Sequence, residues 1–541
     1  MAPFISTSAS KPRPAWHISN LTNFDIRFAD SPANEVVIEA TKNVTHSAQG
    51  GKFRKDATLM AAGPDSSAEE KQSFTLKRPS LLGLSSKWTE MRLVSNSSNK
   101  EHVEPPFRAF QVKASSVDQR LLVVPNRNMA SYLKDIPDSV HLSNILLPGT
   151  HDSMAIYGFP FAQCQRQPLL TQLRAGIRVI DVRLAIVNGT TLTSFHGVIN
   201  QKTLFSDILA TLYAFLQSEE GKSECVIMSI KQEDFATNPA ALFSQLVHDA
   251  IFGSSLAGNL KDKGIRKDTT GGEPLPPHSP TAAATSSSRS MWYLENRVPY
   301  LGQVRGKIIL FSRFGDGTGW ENGIEGMGIW NTRWPNSVIP GWNWDVKDTT
   351  FQSQDWYDIG SFSKAPEKFA LATSTLITRP SPSDPTSQSH HIIPMSFASA
   401  STIPFALPSA VALGIGILQI GFAGVNARIS QWALDILSSD NPSAAMLSPL
   451  SLPQPKVDAN KGKKGPATAD SNVNQTKSEG VKAAEQAPPD NRLTRISGWL
   501  LMDYYDSPGD MIRFLVELNF LNQRLGVQGV PLQAASEITS A

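Results

Sequence analysis

The sequence predicts an α/β protein built as a TIM-type (β/α) barrel, whose regularity the sequence leaves open, preceded by a small all-β domain. From about Asn126, short apolar strands alternate with amphipathic segments of helix length, which is typical of βα units around a parallel sheet. Before Val124, short β-type runs at residues 24–28 and 35–39 are separated by Asn, Gly and Ser, as in an antiparallel β-domain.

The domain organisation follows from length and composition. The chain has 541 residues, more than the roughly 100–200 residues of one ordinary domain. We expect an N-terminal β-rich domain of unknown role over residues 1–125, with a β-sandwich as its expected fold. The barrel is expected over residues 126–525, followed by a C-terminal tail over residues 526–541. Three stretches rich in Ser, Pro, Gly, Lys or Ala indicate flexible insertions in the barrel: 267–290, 378–389 and 448–490.

Bulk composition excludes several classes of protein. A hydrophobic fraction of 40% with 18% charged residues describes a globular chain and not a disordered one. A net charge of +2 gives no general field that would attract nucleic acid. The two cysteines predict no disulfide framework. Because residues 1–16 lack the apolar core of a secretory signal, we expect a cytoplasmic or peripheral-membrane location.

Residues 402–424 contain no charged side chain and are long enough to cross a bilayer. Pro404, Pro408 and Gln419 weaken that interpretation, and a membrane span here would divide the barrel between two of its strands. A buried barrel strand followed by a helix is the favoured interpretation. A rim loop that dips into a membrane and a transmembrane span remain the alternatives.

The predicted barrel strands carry polar residues at or after their ends. In a βα-barrel the carboxyl ends of the strands form the active face, so this placement favours chemistry over packing. The predicted strands lie at residues 142–147, 178–184, 225–230, 307–312, 392–397 and 498–504.

Three of these polar groups suit phosphodiester chemistry. A Gly turn after the first strand presents His151 beside Asp152, and the second strand places Asp181 and Arg183 on one side because strand side chains alternate. His196 follows shortly after. Two imidazoles and a guanidinium supply a base, an acid and a fixed positive charge for a phosphate. A histidine such as His151, taken alone, is more often structural or a neighbour of a helix cap than catalytic. Arg183 could instead form an ion pair with Asp181 or Asp152.

An ordered series of motifs resembles the phosphatidylinositol-specific phospholipase C X-domain family, nearest to its bacterial-type, metal-independent branch. The resemblance covers roughly residues 126–525 and leaves the preceding domain unexplained. The series consists of Leu-Pro-Gly-Thr-His-Asp-Ser at 147–153, Gln-Leu-Arg-Ala-Gly-Ile-Arg at 172–178, the region around His196, Met-Ser-Ile-Lys-Gln-Glu at 228–233, Gly-Lys-Ile-Ile-Leu-Phe-Ser-Arg at 306–313, Gln-Asp-Trp-Tyr at 354–357 and Gly-Trp-Leu-Leu-Met-Asp-Tyr at 498–504.

The resemblance implies a role for each catalytic candidate. His151 would be the general base that takes the proton of the inositol 2-hydroxyl, and Asp503 would orient it. His196, supported by Asp152, would be the general acid that protonates the diacylglycerol oxygen. Arg183 would hold the phosphate and stabilise its growing charge. The first products would be diacylglycerol and a cyclic inositol phosphate.

The resemblance also implies a headgroup site made of Lys231, Arg313, Asp355 and Tyr357, whose side chains suit ring hydroxyls and the apolar face of inositol. For Asp355 and Tyr357 a surface turn is the alternative.

No cofactor or metal is predicted, because Arg183 stands where calcium-dependent relatives carry metal ligands. A weak cation site at Asp152 and Asp181 is the alternative.

The implied partner is an inositol phospholipid at a membrane surface. Tryptophans between two barrel strands suit either a membrane interface or a packed core; they are Trp330, Trp334, Trp342, Trp344 and Trp356. Which inositol lipid is the substrate stays open, with a preference for unphosphorylated inositol, because no basic cluster extends beyond Lys231 and Arg313. Competing functions are a glycerophosphodiester-type hydrolase and an inositol-lipid-binding protein without activity on the same fold.

Overall fold

The fold is seen in a computed structural model. It describes residues 14–48, 57–62, 73–77, 88–95, 105–113, 118–252, 291–317, 320, 326–331, 333–378, 390–417, 420–447 and 494–524.

The N-terminal strands form one nine-stranded sheet in the order β3-β2-β5-β6-β7-β8-β9-β1-β4. Strand β7 pairs with β8 through its first half and with β6 through its second half, so the sheet folds over on itself. Trp16 from β1 and Phe28 from β2 meet inside the fold, with their ring centroids 5.2 Å apart. The strands are β1 Ala15–Asn20, β2 Asp25–Ser31, β3 Asn34–Ile38, β4 Asn43–Ser47, β5 Ala57–Ala62, β6 Ser73–Lys77, β7 Trp88–Ser95, β8 Phe107–Lys113 and β9 Asp118–Pro125.

The remaining large sheet is curled and has the main order β15-β16-β14-β11-β10-β25-β21-β19-β18. Every pairing along this path is parallel except the last, between β19 and β18. Its strands are β10 Leu146–Thr150, β11 Val179–Val187, β12 Thr191–His196, β13 Ile199–Leu204, β14 Cys225–Gln232, β15 Trp292–Tyr293, β16 Lys307–Arg313, β17 Ile329–Trp330, β18 Trp342–Val346, β19 Thr349–Gln354, β21 His391–Phe397 and β25 Gly498–Met502.

Helices lie between these strands, as the alternating pattern predicts. The α-helices are α1 Leu169–Arg174, α2 Phe205–Gln217, α3 Ala240–Phe252, α4 Leu301–Val304, α5 Ala365–Thr375, α6 Pro408–Leu413, α7 Val425–Leu437, α8 Pro442–Leu447 and α9 Met511–Arg524. Short 3-10 helices occupy Met129–Asp135, Leu142–Asn144 and Phe362–Lys364. Two small sheets pair β20 Ile377–Thr378 with β24 Arg495–Ile496, and β22 Gly414–Ile417 with β23 Ile420–Ala423.

The predicted α/β class is confirmed, and the barrel is irregular. Within the described ranges, no backbone pairing joins β16 to β18 or β19, where a regular barrel would close. Aromatic side chains occupy this space: the ring of Phe311 lies 5.9 Å from Trp344, 6.3 Å from Phe351 and 5.6 Å from Trp499. Packing of large rings therefore replaces hydrogen bonding on this side of the barrel.

The predicted strands agree with the observed ones, with two differences. The first strand starts later than expected, because residues 142–144 form a 3-10 turn before β10. The antiparallel β12–β13 hairpin and the β18–β19 pair were missed, since their mixed polar sequences do not resemble a buried parallel strand.

The N-terminal sheet packs on α7 and α9 of the barrel. Phe110 meets Phe514 edge to face at 4.8 Å, and Arg108 forms a 2.7 Å ion pair with Asp510. Trp88 donates from Nε1 to Asp435, 3.4 Å away. An aromatic contact supported by polar contacts therefore connects the N-terminal sheet to the helical layer of the barrel.

The structure also bears on the segments singled out by composition. The predicted insertions at 267–290 and 448–490 lie outside the described residues, as do positions 379–389 of the third one. In the described part of residues 402–424, the expected buried barrel strand is absent; helix α6 and the β22–β23 hairpin stand there, and Ile415 and Phe422 are exposed. Of the helices that the structure describes, none is long and apolar enough to cross a membrane.

The five tryptophans between the strands mostly join the core. Trp342 and Trp344 are buried, and Trp334 and Trp356 pack against the same core cluster. Trp330 is half-buried. Of the two interpretations of these tryptophans, the structure favours the packed core.

Candidate active site

The carboxyl ends of the parallel strands bring the predicted site residues to one end of the barrel. His151 follows β10 directly, and Asp503 follows β25. Strands β10 and β25 are neighbours, with Thr150 opposite Met502. The side-chain amide of Gln165 donates to the carbonyl oxygens of His151 and Met502, both at 2.8 Å. The two strand ends are therefore held together next to the site.

His151 is held on both ring nitrogens. Its Nδ1 lies 2.8 Å from Oδ1 of Asp503, and its Nε2 lies 2.7 Å from Nη2 of Arg183. A guanidinium can only donate, so Nε2 must accept and the ring proton must sit on Nδ1, where it is donated to Asp503. This arrangement defines a neutral imidazole whose Nε2 lone pair faces the Arg183 guanidinium.

Arg183, Lys231 and Arg313 form a row of cations across three neighbouring strands. Strand register places Arg183 opposite Lys231 and Lys231 opposite Arg313. Side chains at matching positions of parallel strands point to the same side of the sheet. The row therefore concentrates positive charge beside His151.

Buried carboxylates counter this charge. Asp181 accepts from Nε of Arg183 at 3.0 Å and from Nη1 of Arg313 at 3.3 Å. Burial acts to raise the pKa of Asp181, but the two guanidiniums outweigh it and hold that pKa well below its usual range. Glu233 lies 2.7 Å from Nζ of Lys231 and 3.5 Å from Nη1 of Arg183.

His196 ends β12 and faces His151, with the ring centroids 6.2 Å apart and nearly perpendicular. Its Nδ1 donates to the carbonyl oxygen of Ala162 at 2.7 Å and lies 3.5 Å from Oδ2 of Asp152. Asp152 is buried, which raises the pKa of its carboxyl, while His196 and Arg183 act to lower it. With Nδ1 donating, Nε2 of His196 is directed away from these partners.

The headgroup candidates lie further along the same rim. The Arg313 guanidinium stacks 3.6 Å over the ring of Trp334, whose Nε1 donates to Asp355 at 3.1 Å. Asp355 thereby joins the cluster through Trp334. Tyr357 is 39% exposed and its hydroxyl bonds to Asn336, so the structure places it on the rim and not among the charged groups.

Several residues of the site were missed by sequence reasoning. Glu233 stands in one of the quoted motifs, and the alternation of β14 could have placed it beside Lys231. Lys368 gave no signal: it lies buried on α5 and donates to Gln354 at 3.3 Å and to the carbonyl oxygen of Trp356 at 2.7 Å. Burial lowers the pKa of Lys368 to about 7, although Asp355 and Asp503 act against this shift.

The carboxylates near the site bear on metal binding. The alternative cation site at Asp152 and Asp181 is disfavoured, because Arg183 and Arg313 occupy the oxygens of Asp181 and the backbone N–H of Asp152 donates to Oδ2 of Asp181. Among the described residues, one set of three potential ligands converges: His151, Cys164 and Asp503.

Two curated proteins show sequence similarity to this chain. Over 188 residues the chain is 30% identical to a 1-phosphatidylinositol phosphodiesterase of Listeria monocytogenes, and the alignment covers 34% of this chain and 48% of that protein. Over about a third of its length, this chain is therefore similar to phosphatidylinositol-specific phospholipase C-like proteins. A protein of the same name from Staphylococcus aureus is 22% identical over 196 residues, covering 35% of this chain and 53% of that protein.

This chain spans about half the length of the curated relatives it matches. Among solved structures, a phosphatidylinositol-specific phospholipase C of S. aureus aligns with a TM-score of 0.45 at 17% identity, over 72% of this chain and 98% of that one. The L. monocytogenes enzyme aligns with a TM-score of 0.40 at 20% identity, over 72% and 99%. No model of a known protein family matches the chain.

Proposed function

We propose that this chain cleaves phosphatidylinositol-type lipids to diacylglycerol and a cyclic inositol phosphate by general base and general acid catalysis. The observation that carries the proposal is His151 held between Asp503 and Arg183, with His196 facing it 6.2 Å away. The relatives' name, 1-phosphatidylinositol phosphodiesterase, supports phosphatidylinositol as the substrate class.

His151 is the base in this mechanism. Its Nε2 takes the proton of the inositol 2-hydroxyl, and the freed oxygen attacks the adjacent phosphorus. Arg183 Nη2 contacts this lone pair here, and a bound phosphate would draw the guanidinium towards its own oxygens, leaving Nε2 open. Asp503 accepts a hydrogen bond from Nδ1–H throughout and stabilises the imidazolium that forms.

His196 is the acid. As the bond between phosphorus and the glycerol oxygen breaks, Nε2 of a protonated His196 gives its proton to that oxygen, and diacylglycerol leaves. The carbonyl oxygen of Ala162 and the carboxyl of Asp152 lie near Nδ1 and orient the ring. Arg183 stabilises the charge that grows on the phosphate. The nucleophile belongs to the substrate, so no covalent enzyme intermediate forms.

The headgroup is bound by the remaining cations and by Asp355. Lys231 and Arg313 offer donors to ring hydroxyls, and Asp355 offers an acceptor beside them. Tyr357 stands at the rim, where an aromatic face can cover the apolar side of the inositol ring. Both cations are already partnered by Glu233 and Asp181. We therefore propose unphosphorylated inositol as the preferred headgroup, because little cationic charge is left for further phosphates.

The lipid would be taken from a membrane surface. Apolar side chains stand exposed on loops that follow the carboxyl ends of the strands, at the same end of the barrel as the site. Their exposed fractions are Phe159 70%, Phe161 52%, Val198 91%, Phe235 74%, Ile403 57% and Phe405 72%. Such a rim would contact the acyl region while the headgroup enters the barrel.

The test is release of water-soluble inositol phosphate from phosphatidylinositol vesicles, compared with phosphatidylcholine vesicles of the same size. Release from the first alone supports the proposal. Release of a headgroup from the second would point to a broader phosphodiesterase, and headgroup binding without release would point to a lipid-binding protein.

A further inference from the structure

One side chain at the centre of the site has no part in the proposed reaction. Cys164 is buried, with its Sγ 3.7 Å from Nδ1 of His196. Its backbone is fixed on both sides: its N–H donates to Ala155 at 2.8 Å, and its carbonyl oxygen accepts from Tyr504 N–H at 2.7 Å. The thiol is therefore held at a set position between the two histidines.

Cys164 forms a convergent set with His151 and Asp503. One ligand atom from each side chain lies within 4.8 Å of the other two. A sulfur, an imidazole nitrogen and a carboxylate oxygen are the donors that Zn²⁺ and similar metals prefer. Bond lengths of roughly 2.0–2.3 Å would require the three atoms to close in on a shared ion by small side-chain movements.

The charges around this set are divided by the His151 ring. Asp503 contacts the Nδ1 side of the ring and Arg183 contacts its Nε2 side. The Cys164 sulfur lies within 4.8 Å of the Asp503 carboxylate. Oδ2 of buried Asp152 makes no hydrogen bond and adds a second carboxyl near the thiol, where it acts on the Cys164 pKa together with Asp503. A cation on the Nδ1 side would thus lie next to carboxyl groups, with the Arg183 guanidinium on the other side of the His151 ring.

We propose that His151, Cys164 and Asp503 form an inhibitory site for a thiophilic divalent metal, with Zn²⁺ or Cd²⁺ bound by Nδ1, Sγ and a carboxylate oxygen. The inhibitory part of this inference rests on the proposed function, since it assumes that His151 is the base. The binding part depends only on the geometry of the three side chains.

Binding changes the protons of two groups. The thiol loses its proton to solvent and binds as the thiolate; burial and the two nearby carboxyls raise the pKa of Cys164 well above its usual value, so the metal-free thiol carries that proton. Metal on Nδ1 moves the ring proton of His151 to Nε2. An Nε2–H cannot accept the proton of the inositol hydroxyl, and it faces the donor of Arg183, so turnover stops.

The two cysteines allow a matched experiment on the full chain. Cd²⁺ is titrated into the reduced, chelator-treated protein without lipid, and the ultraviolet thiolate-to-Cd²⁺ charge-transfer absorption is recorded for the wild type, Cys164→Ser and Cys225→Ala. Cys225 is equally buried but lies in the core of β14, away from this set. Circular dichroism checks that each variant is folded.

We expect one equivalent of Cd²⁺ to produce the band in the wild type and in Cys225→Ala, and Cys164→Ser to lack it. Zn²⁺ should abolish the band by competition and inhibit lipid cleavage, and at least tenfold more Zn²⁺ should be needed to inhibit Cys164→Ser. A missing band, a band that survives in Cys164→Ser, or Zn²⁺ binding without inhibition of an active enzyme would overturn the inference. A specific band in a protein that cleaves no lipid would support the metal site and overturn the proposed function instead.

Discussion

Nδ1 of His151 lies 2.8 Å from Oδ1 of Asp503, although 352 residues separate them in the chain. The contact forms because β10 and β25 are paired neighbours whose ends meet. Asn426 on α7 strengthens this arrangement by donating to the carbonyl oxygens of Asp503 and Tyr504 at 2.8 and 3.0 Å. The orientation of the proposed base therefore depends on contacts between distant parts of the barrel.

Asp503→Asn should lower activity without unfolding the protein. An amide can present its NH₂ to Nδ1, which favours the tautomer with the proton on Nε2 and removes the base. By comparison with the carboxylate of serine protease triads, we expect a loss of about 100-fold or more. Initial rates on phosphatidylinositol vesicles measure the effect. An unchanged rate would show that this carboxylate does not set the tautomer.

His151→Ala and His196→Ala should each lower the turnover rate by about 100- to 10,000-fold, because each removes one proton-transfer group. His390→Ala is the matched control, since His390 is an exposed histidine at the opposite, amino-terminal end of β21. If either site variant kept a rate near that of the control, the role given to that histidine would be wrong.

Lys368 should make the free energy of unfolding depend on pH in the neutral to alkaline range. Its pKa is about 7 in the folded protein against an ordinary value of 10.5. Between these pH values the unfolded chain binds more protons than the folded protein. The contribution of this group to the free energy of unfolding therefore increases as pH rises and decreases as pH falls towards 7. The slope is at most about 1.4 kcal/mol per pH unit.

Lys368→Met, which removes the titrating group, serves as the reference for this effect. Denaturant unfolding of both proteins across this pH range should show the wild type gaining stability relative to the variant as pH rises. Parallel pH profiles would mean that Lys368 stays charged in the folded state.

A buried ion pair supports the barrel below the site. Arg178 and Glu224 are both fully buried and 2.8 Å apart. Arg178→Met leaves the Glu224 carboxylate without its counter-charge, and we expect a loss of about 3–5 kcal/mol in unfolding free energy. The exposed pair Arg174–Glu220 is the control, where Arg174→Met should cost no more than about 1 kcal/mol. Equal losses in the two variants would contradict the importance of burial.

The apolar rim should govern vesicle binding and not chemistry. Phe159→Ser and Phe405→Ser should weaken binding to phosphatidylinositol vesicles severalfold while leaving the hydrolysis rate of a soluble inositol phosphodiester unchanged. Val37→Ser, at a valine 47% exposed on the N-terminal sheet, should affect neither. A rim variant that binds vesicles like the wild type would remove this loop from the proposed membrane contact.

Sequence reasoning succeeded where local patterns decide the structure. The apolar strands and the polar residues at their ends predicted the α/β class, and strand alternation correctly placed Asp181 beside Arg183. It failed for features that depend on packing between distant segments. Nothing near Lys368 or Cys164 in the chain indicates that these side chains are buried in the fold. The packing on the open side of the barrel involves rings from β16, β18, β19 and β25 that meet only in the fold.

Phosphorus NMR of phosphatidylinositol vesicles, incubated with the purified protein in excess chelator, tests the central claim most directly. The account predicts a signal of a cyclic inositol phosphate that grows with time in the wild type and is absent in His151→Ala. Cleavage that appears only after calcium is added, or a first product that is acyclic, would contradict attack by the inositol hydroxyl with Arg183 in place of a metal.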